Sequence, residues 1–233
     1  MEQRLTNLLM LILLQGQISS IFSTPVNENS AVISNSEDIG EIKAYLPACD
    51  DNDNVGSLGK AVIIPAKAVE SVANTPISAL SAELPAIQKE ILDGYNKYRS
   101  QAVPGAGNKE KMVWSSEAAK TAEDSAKQCK VGHSPKASRA ITDSICKETE
   151  LRSNVMVPWN TVIDSWQREY ADCKNGKNGL GALSDAEVGH SIKVSVPIYH
   201  MGCSLARCPK DKFNYLYVCH VCAGRNQGSG SLP

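Results

Sequence analysis

Phe213-Asn214-Tyr215-Leu216-Tyr217-Val218-Cys219-His220-Val221-Cys222 alternates with the period of a β-strand. Phe213, Tyr215, Tyr217 and Cys219 face one way; Asn214, Leu216, Val218 and His220 face the other. Five residues before it lies Cys208, which with Cys203 frames a hairpin, so four of the eight cysteines fall within twenty residues. Cys219 and Cys222 project to opposite sides, which allows the strand to be stapled on both faces. The stretch reads as the central strand of a secreted, disulfide-locked domain.

Export is written at the other end of the chain. Arg4 precedes the apolar run Leu8–Leu14, and small residues follow at Ser19, Ser20 and Ser23. That is the pattern of a secretory signal peptide over residues 1–23, too short to anchor in a bilayer. No other apolar run approaches twenty residues, so the mature chain is expected to be extracellular and not membrane-spanning. Eight cysteines in an exported chain imply disulfides rather than a thiolate metal site. No Asn-X-Ser/Thr sequon is present.

The net charge of −1 conceals an asymmetry. Residues 25–85 carry nine acidic side chains against three lysines, and residues 86–233 carry fifteen acidic against twenty basic ones. Nothing is basic enough to suggest nucleic-acid binding. From Thr24 to about Ala82 no period is sustained, and Asn, Ser, Asp and Ala dominate. Residues 24–84 therefore read as an acidic, disordered extension or prosegment.

Regular structure is expected from Pro85. Ile87, Ile91, Leu92, Tyr95 and Tyr98 form one helical stripe that ends by Pro104-Gly105. Ser115 or Ser116 caps a second helix with Glu117 in its first turn and alanines at 118, 119, 122 and 126. A third follows Pro158, with Val162, Ile163, Trp166 and Tyr170 on one face. Residues from Lys193 to Cys222 are strand-like. Helices bracketing a small antiparallel sheet give an α/β fold, a disulfide-stabilised α-β-α sandwich over residues 85–225. All three tryptophans read as core and helix-packing residues, with Trp159, near a helix start, the most exposed. His220 is assigned to packing and His200 to a solvated turn.

The order of several segments resembles a known family. Tyr95-Asn96-Lys97-Tyr98-Arg99, Lys111-Met112-Val113-Trp114-Ser115-Ser116-Glu117-Ala118-Ala119 and Gly132-His133-Ser134-Pro135 come first. Ser165-Trp166-Gln167-Arg168-Glu169, Gly189-His190 and Tyr217-Val218-Cys219-His220-Val221-Cys222 follow. The set is similar to the vertebrate cysteine-rich secretory proteins of the CAP superfamily. The resemblance implies an α-β-α sandwich with disulfides Cys129–Cys208, Cys146–Cys222 and Cys203–Cys219. It also implies a cleft lined by His133, Glu148, Glu169 and His190, where Zn2+ fits without being required. Tyr95 stands in place of a family histidine, Lys147-Glu148-Thr149 in place of Gly-Glu-Asn, and Ser191–Val196 departs from the family signature.

Residues 226–233 read as a truncated hinge, without the cysteine-rich module that the family associates with ion-channel regulation. Truncated members of frog egg jelly attract sperm. The resemblance therefore implies a secreted, non-enzymatic signalling protein of reproduction, recognised by a receptor on sperm. Its alternatives are a venom, skin-secretion or defence factor acting through surface or sterol contact, and a zinc-dependent hydrolase. Cys49 and Cys173 remain over, and pairing with each other would tether the acidic arm to the third helix. An intermolecular bridge, or removal of the arm to leave Cys173 alone, are the other outcomes.

Overall fold

The computed structural model describes residues 43–46, 61–101, 111–142, 144–174 and 198–223. All of them lie within the unit Ile39–Pro233. The signal-peptide stretch, the residues after Ala223, Cys49, His190, the Ser191–Val196 segment and the Cys173 side chain lie outside the described residues.

The quoted stretch forms β8 (Tyr215–Ala223), and it is central. β8 pairs antiparallel with β6 (Lys147–Ser153) on one side and β7 (Ile198–Arg207) on the other. Outside β6 lie β1 (Lys43–Tyr45) and β2 (Ala61–Ile63), and outside β7 lies β3 (Val113–Trp114). The order is β2-β1-β6-β8-β7-β3, antiparallel except for the short parallel pairing of β3 with β7. A separate small hairpin joins β4 (Ala140–Ile141) to β5 (Ser144–Ile145).

Helices cover both faces. After the short α1 (Ala66–Glu70), α2 (Pro85–Gln101) begins on proline, whose fixed φ suits a first helical position. α2 and α4 (Trp159–Lys174) bury Ile87, Ile91 and Tyr95 with Val162, Ile163 and Trp166 against Leu151, Met201, Tyr217 and Cys219. The opposite face holds α3 (Ser116–Lys127). It is capped by the Ser115 hydroxyl, which accepts from Ala118 N at 3.1 Å, and its Glu117 and Lys127 complement the helix dipole. Ala122 and Ala126 of α3 pack on Leu216 and Val218. The period-two alternation of β8 thus feeds two separate cores.

Small side chains let α3 lie almost on the backbone of β7. A Cβ built on Gly202 would stand 2.0 Å from the Ala119 amide nitrogen and 2.5 Å from its Cα. Three disulfides lock the fold: Cys129–Cys208, Cys146–Cys222 and Cys203–Cys219. The last joins residues directly opposite in β7 and β8.

Part of the segment read as a disordered extension is built into the domain, which corrects that expectation for residues 43–46 and 61–84. β1 pairs with β6 through Ala44↔Ser153 and Tyr45↔Arg152, and Ala44, Leu46, Ile64 and Val69 enter the main core. The 3-10 turn Ile77–Leu80 then crosses the start of α4. There the Trp159 indole donates to the Leu80 carbonyl at 2.9 Å and packs edge-on against Tyr217, with centroids 5.1 Å apart. Trp159 is fully buried rather than the most exposed tryptophan, because a segment without periodicity lies over it. His200 likewise sits half-buried inside β7, opposite Cys222, and not in a turn. Trp159→Phe should cost about 1–2 kcal/mol by leaving the Leu80 carbonyl unsatisfied. Denaturant unfolding checks the loss, and hydrogen exchange should show the 77–84 segment opening first.

Candidate functional site

The face of β6 that looks toward α3 carries Glu148, Glu150 and Arg152, three charged residues at strand spacing and all buried. Charges in such a place need partners, and each has them. Arg152 donates from Nε and Nη2 to the two Glu150 oxygens at 3.3 and 3.4 Å, and from Nη1 to Asp211 at 3.0 Å. Burial raises the Glu150 pKa, and the Arg152 charge opposes that rise.

Glu148 lies one step along the same row, in register with His220 of β8 and, beyond it, Gly202 of β7. Its Oε1 accepts the Ser134 amide at 2.7 Å and its Oε2 the Ser134 hydroxyl at 2.6 Å. The Nε2 of His220 lies 2.8 Å from the same Oε2, while its Nδ1 is 2.7 Å from the Thr121 hydroxyl of α3. His220 is wholly enclosed. Burial acts to raise the Glu148 pKa, but the His220 hydrogen bond and charge and the two bonds from Ser134 outweigh it, and the carboxyl falls to about 2. Ser134 is brought in by the turn at Gly132, whose φ of 87° is a conformation glycine adopts freely.

Of the four cleft residues implied by the resemblance, three are described. His133 is half-buried beside Ser134, Glu148 is buried in β6, and Glu169 is buried on α4. His190 lies outside the described residues. Among the described residues no group of three or more His, Cys, Asp and Glu side chains is placed to hold a metal ion. Both oxygens of Glu148 are already committed to Ser134 and His220, which does not fit a direct ligand and does fit an outer partner. Sequence reading assigned His220 to packing alone. The structure packs it fully and also makes it the partner of Glu148, a relation that depends on strand register. Tyr95, in the place of a family histidine, is enclosed beside Trp166 with its hydroxyl 3.5 Å from that of Thr149. Burial pushes that hydroxyl upward in pKa, so it serves as a packing group.

Residues 92–221 match the model of the Cysteine-rich secretory protein family, CAP. Among solved structures, venom allergen-like protein 4 of Schistosoma mansoni is 22% identical, with 62% of this chain and 90% of that one covered and a TM-score of 0.42. BmVAL-1 is 22% identical over 61% of this chain and 80% of its own, with a TM-score of 0.44. NaASP2, solved with Zn2+, is 21% identical over 60% and 81%, with a TM-score of 0.39.

Proposed function

Because this chain belongs to the cysteine-rich secretory protein family, we propose that it works outside the cell as a non-enzymatic recognition protein, read by a receptor on sperm as a chemoattractant. The observation that carries the non-enzymatic part is the state of Glu148. A carboxylate whose two oxygens are held by the Ser134 amide and hydroxyl and by an enclosed histidine joins strand, loop and helix. The disulfides suit an oxidising compartment. Among the described residues no helix is long and apolar enough to cross a membrane. The reproductive part is supported by the ordered sequence segments shared with the vertebrate secretory proteins.

A two-chamber sperm-migration assay tests the reading. Purified, disulfide-bonded protein should draw sperm when presented as a gradient and should produce no net movement at uniform concentration. The double variant His133→Ala/His190→Ala should attract as well as the parent. Absence of a directed response by folded protein would overturn the chemoattractant reading in favour of a defence or secretion role with sterol contact. Loss of attraction in the double variant alone would overturn the non-enzymatic one.

A further inference from the structure

The turn between β7 and β8 is pinned from three sides. The Asp211 amide donates to the Cys208 carbonyl at 3.0 Å, and the Cys208 amide donates to the Asn214 carbonyl at 2.7 Å. Cys208 is also bonded to Cys129, just beyond the end of α3. Pro209 and Lys210 are therefore the central residues of a β-turn, with proline where its fixed φ is required. The Cys129 sulfur lies 4.0 Å from the Arg207 carbonyl oxygen. The bridge thus gathers two stretches of chain, and the Cα atoms of Lys130 and Arg207 are at most about 13 Å apart.

Lys130, Arg207, Lys210 and Lys212 are all exposed at this corner. Among the described residues none of the four has a carboxylate within ion-pair distance. The acid of the turn itself faces inward. One Asp211 oxygen takes the buried Arg152 at 3.0 Å and the other accepts the Lys212 amide at 2.6 Å. The Lys212 ammonium stands 5.7 Å from the centroid of the buried Phe213 ring, which steadies it. The charges on α3 cancel one another, Lys120 with Glu123 and Asp124, and Lys127 with Glu123. Glu83 lines the same groove along β7 as Arg207 and counts against the cluster. Four open cations against that one acid leave a net of +3.

We propose that this corner docks a linear sulfated polysaccharide, laid across the Cys129–Cys208 disulfide. The cations stand on both sides of the bridge and on a projecting turn rather than around a cavity. They therefore address charges spaced along a chain and not one small anion. Sulfate esters keep their charge at every physiological pH, as do exposed lysine and arginine, so the attraction is constant. A membrane surface lacks an anchor here. The large exposed apolar side chains are Ile63, Leu84, Val113 and Ile145, and none belongs to the turn or to the end of α3. A single-stranded nucleic acid would need an open ring for its bases, and the ring beside the turn, Phe213, is buried. The inference takes only the extracellular compartment from the function proposed above and needs no response by sperm.

The test is fluorescence polarisation of a labelled heparin octasaccharide titrated with the full, disulfide-bonded chain. Binding should be measurable at 50 mM NaCl and weaken roughly fiftyfold by 200 mM, the response expected of about four charge contacts that release counterions. The double variant Lys130→Glu/Lys210→Glu should lose about tenfold or more in affinity at 50 mM. Lys89→Glu/Lys97→Glu makes the same change in net charge on the exposed side of α2 and should alter affinity by less than about twofold. Lys130 and Lys210 are exposed and make no ion pair among the described residues, so their replacement leaves folding intact. Equal losses in the two double variants would show a diffuse field and overturn the site. Equal binding of de-O-sulfated heparin would overturn sulfate as the group that is read. Tighter binding to phosphatidylserine vesicles than to the octasaccharide would assign the corner to membranes instead, and no binding at 50 mM would end the proposal outright.

Discussion

Gly202→Ala is expected to give little or no folded protein. The added methyl carbon would sit 2.0 Å from the backbone nitrogen of Ala119, 2.5 Å from its Cα and 2.6 Å from the Ala118 carbonyl carbon. All three are main-chain atoms near the start of α3, so no rotamer change relieves the clash. Either α3 lifts off β7, or β7 distorts where it meets His220 in β8. Overpacking a well-filled core costs about 1–3 kcal/mol, and a clash against backbone belongs at or above the top of that range. For a marginally stable domain this is a large fraction of the total. The yield of folded protein and the denaturant midpoint report the effect. Gly94 is the internal comparison: a Cβ there meets the flexible end of Ile163 at 2.9 Å, so Gly94→Ala should be much milder. Equal behaviour of the two variants would refute the account of how α3 packs.

The second large effect belongs to the enclosed Glu148–His220 pair. Replacing either residue by leucine strands the other in a site with 0–2% exposure and should cost about 3–5 kcal/mol. The double leucine variant removes both polar groups and should lose less than the two single changes added together. Acid titration gives a second readout. The Glu148 carboxyl titrates at about 2 when folded, against 4.5 as its ordinary value. A depressed carboxyl contributes stability that is complete above the ordinary value and is lost as pH falls toward the folded one. Stability should therefore decline between about pH 5 and pH 2, by up to roughly 3 kcal/mol from this group. Nearby Glu150, whose pKa is raised, acts with the opposite sign, so Glu150→Gln should steepen the acid loss and Glu148→Gln should remove it. An unchanged acid limb in Glu148→Gln would show that the pair does not hold the sheet.

The sandwich was legible because its long elements carry their period in the residues. β8 shows two rows of side chains and each row has its own core, while the Ile87–Tyr95 stripe of α2 and the Val162–Trp166 stripe of α4 meet on one face. The short pieces gave no such signal. β1 and β2 have three residues each, too few to display alternation, and they stand in an Asn- and Ser-rich background typical of unfolded chain. β1 takes its place by pairing with β6, a partner about a hundred residues away that no local window contains, and β2 takes its place by pairing with β1. The burial of Trp159 is hidden from the sequence for the same reason, since what covers it is the distant turn at Leu80. In the candidate site, His133 and Glu148 were visible as residues through the family pattern. The His220–Glu148 contact was not, because it requires knowing that β6 and β8 align those two positions.

Each of the three described disulfides has at least one end in β7, β8 or the turn between them. Synthesis runs from the N-terminus, so Cys129 and Cys146 are made before any of these partners exists. In an oxidising compartment they could pair in that interval only with each other, with Cys49 or with Cys173, and any such bridge would have to be exchanged to reach the described pairing. Correct pairing of this chain is thus expected to run at the pace of thiol reshuffling, a step of seconds to hours that an isomerase accelerates. Expression in a compartment poor in that catalyst should yield mispaired chains even when the sequence, the temperature and the oxidant are all favourable.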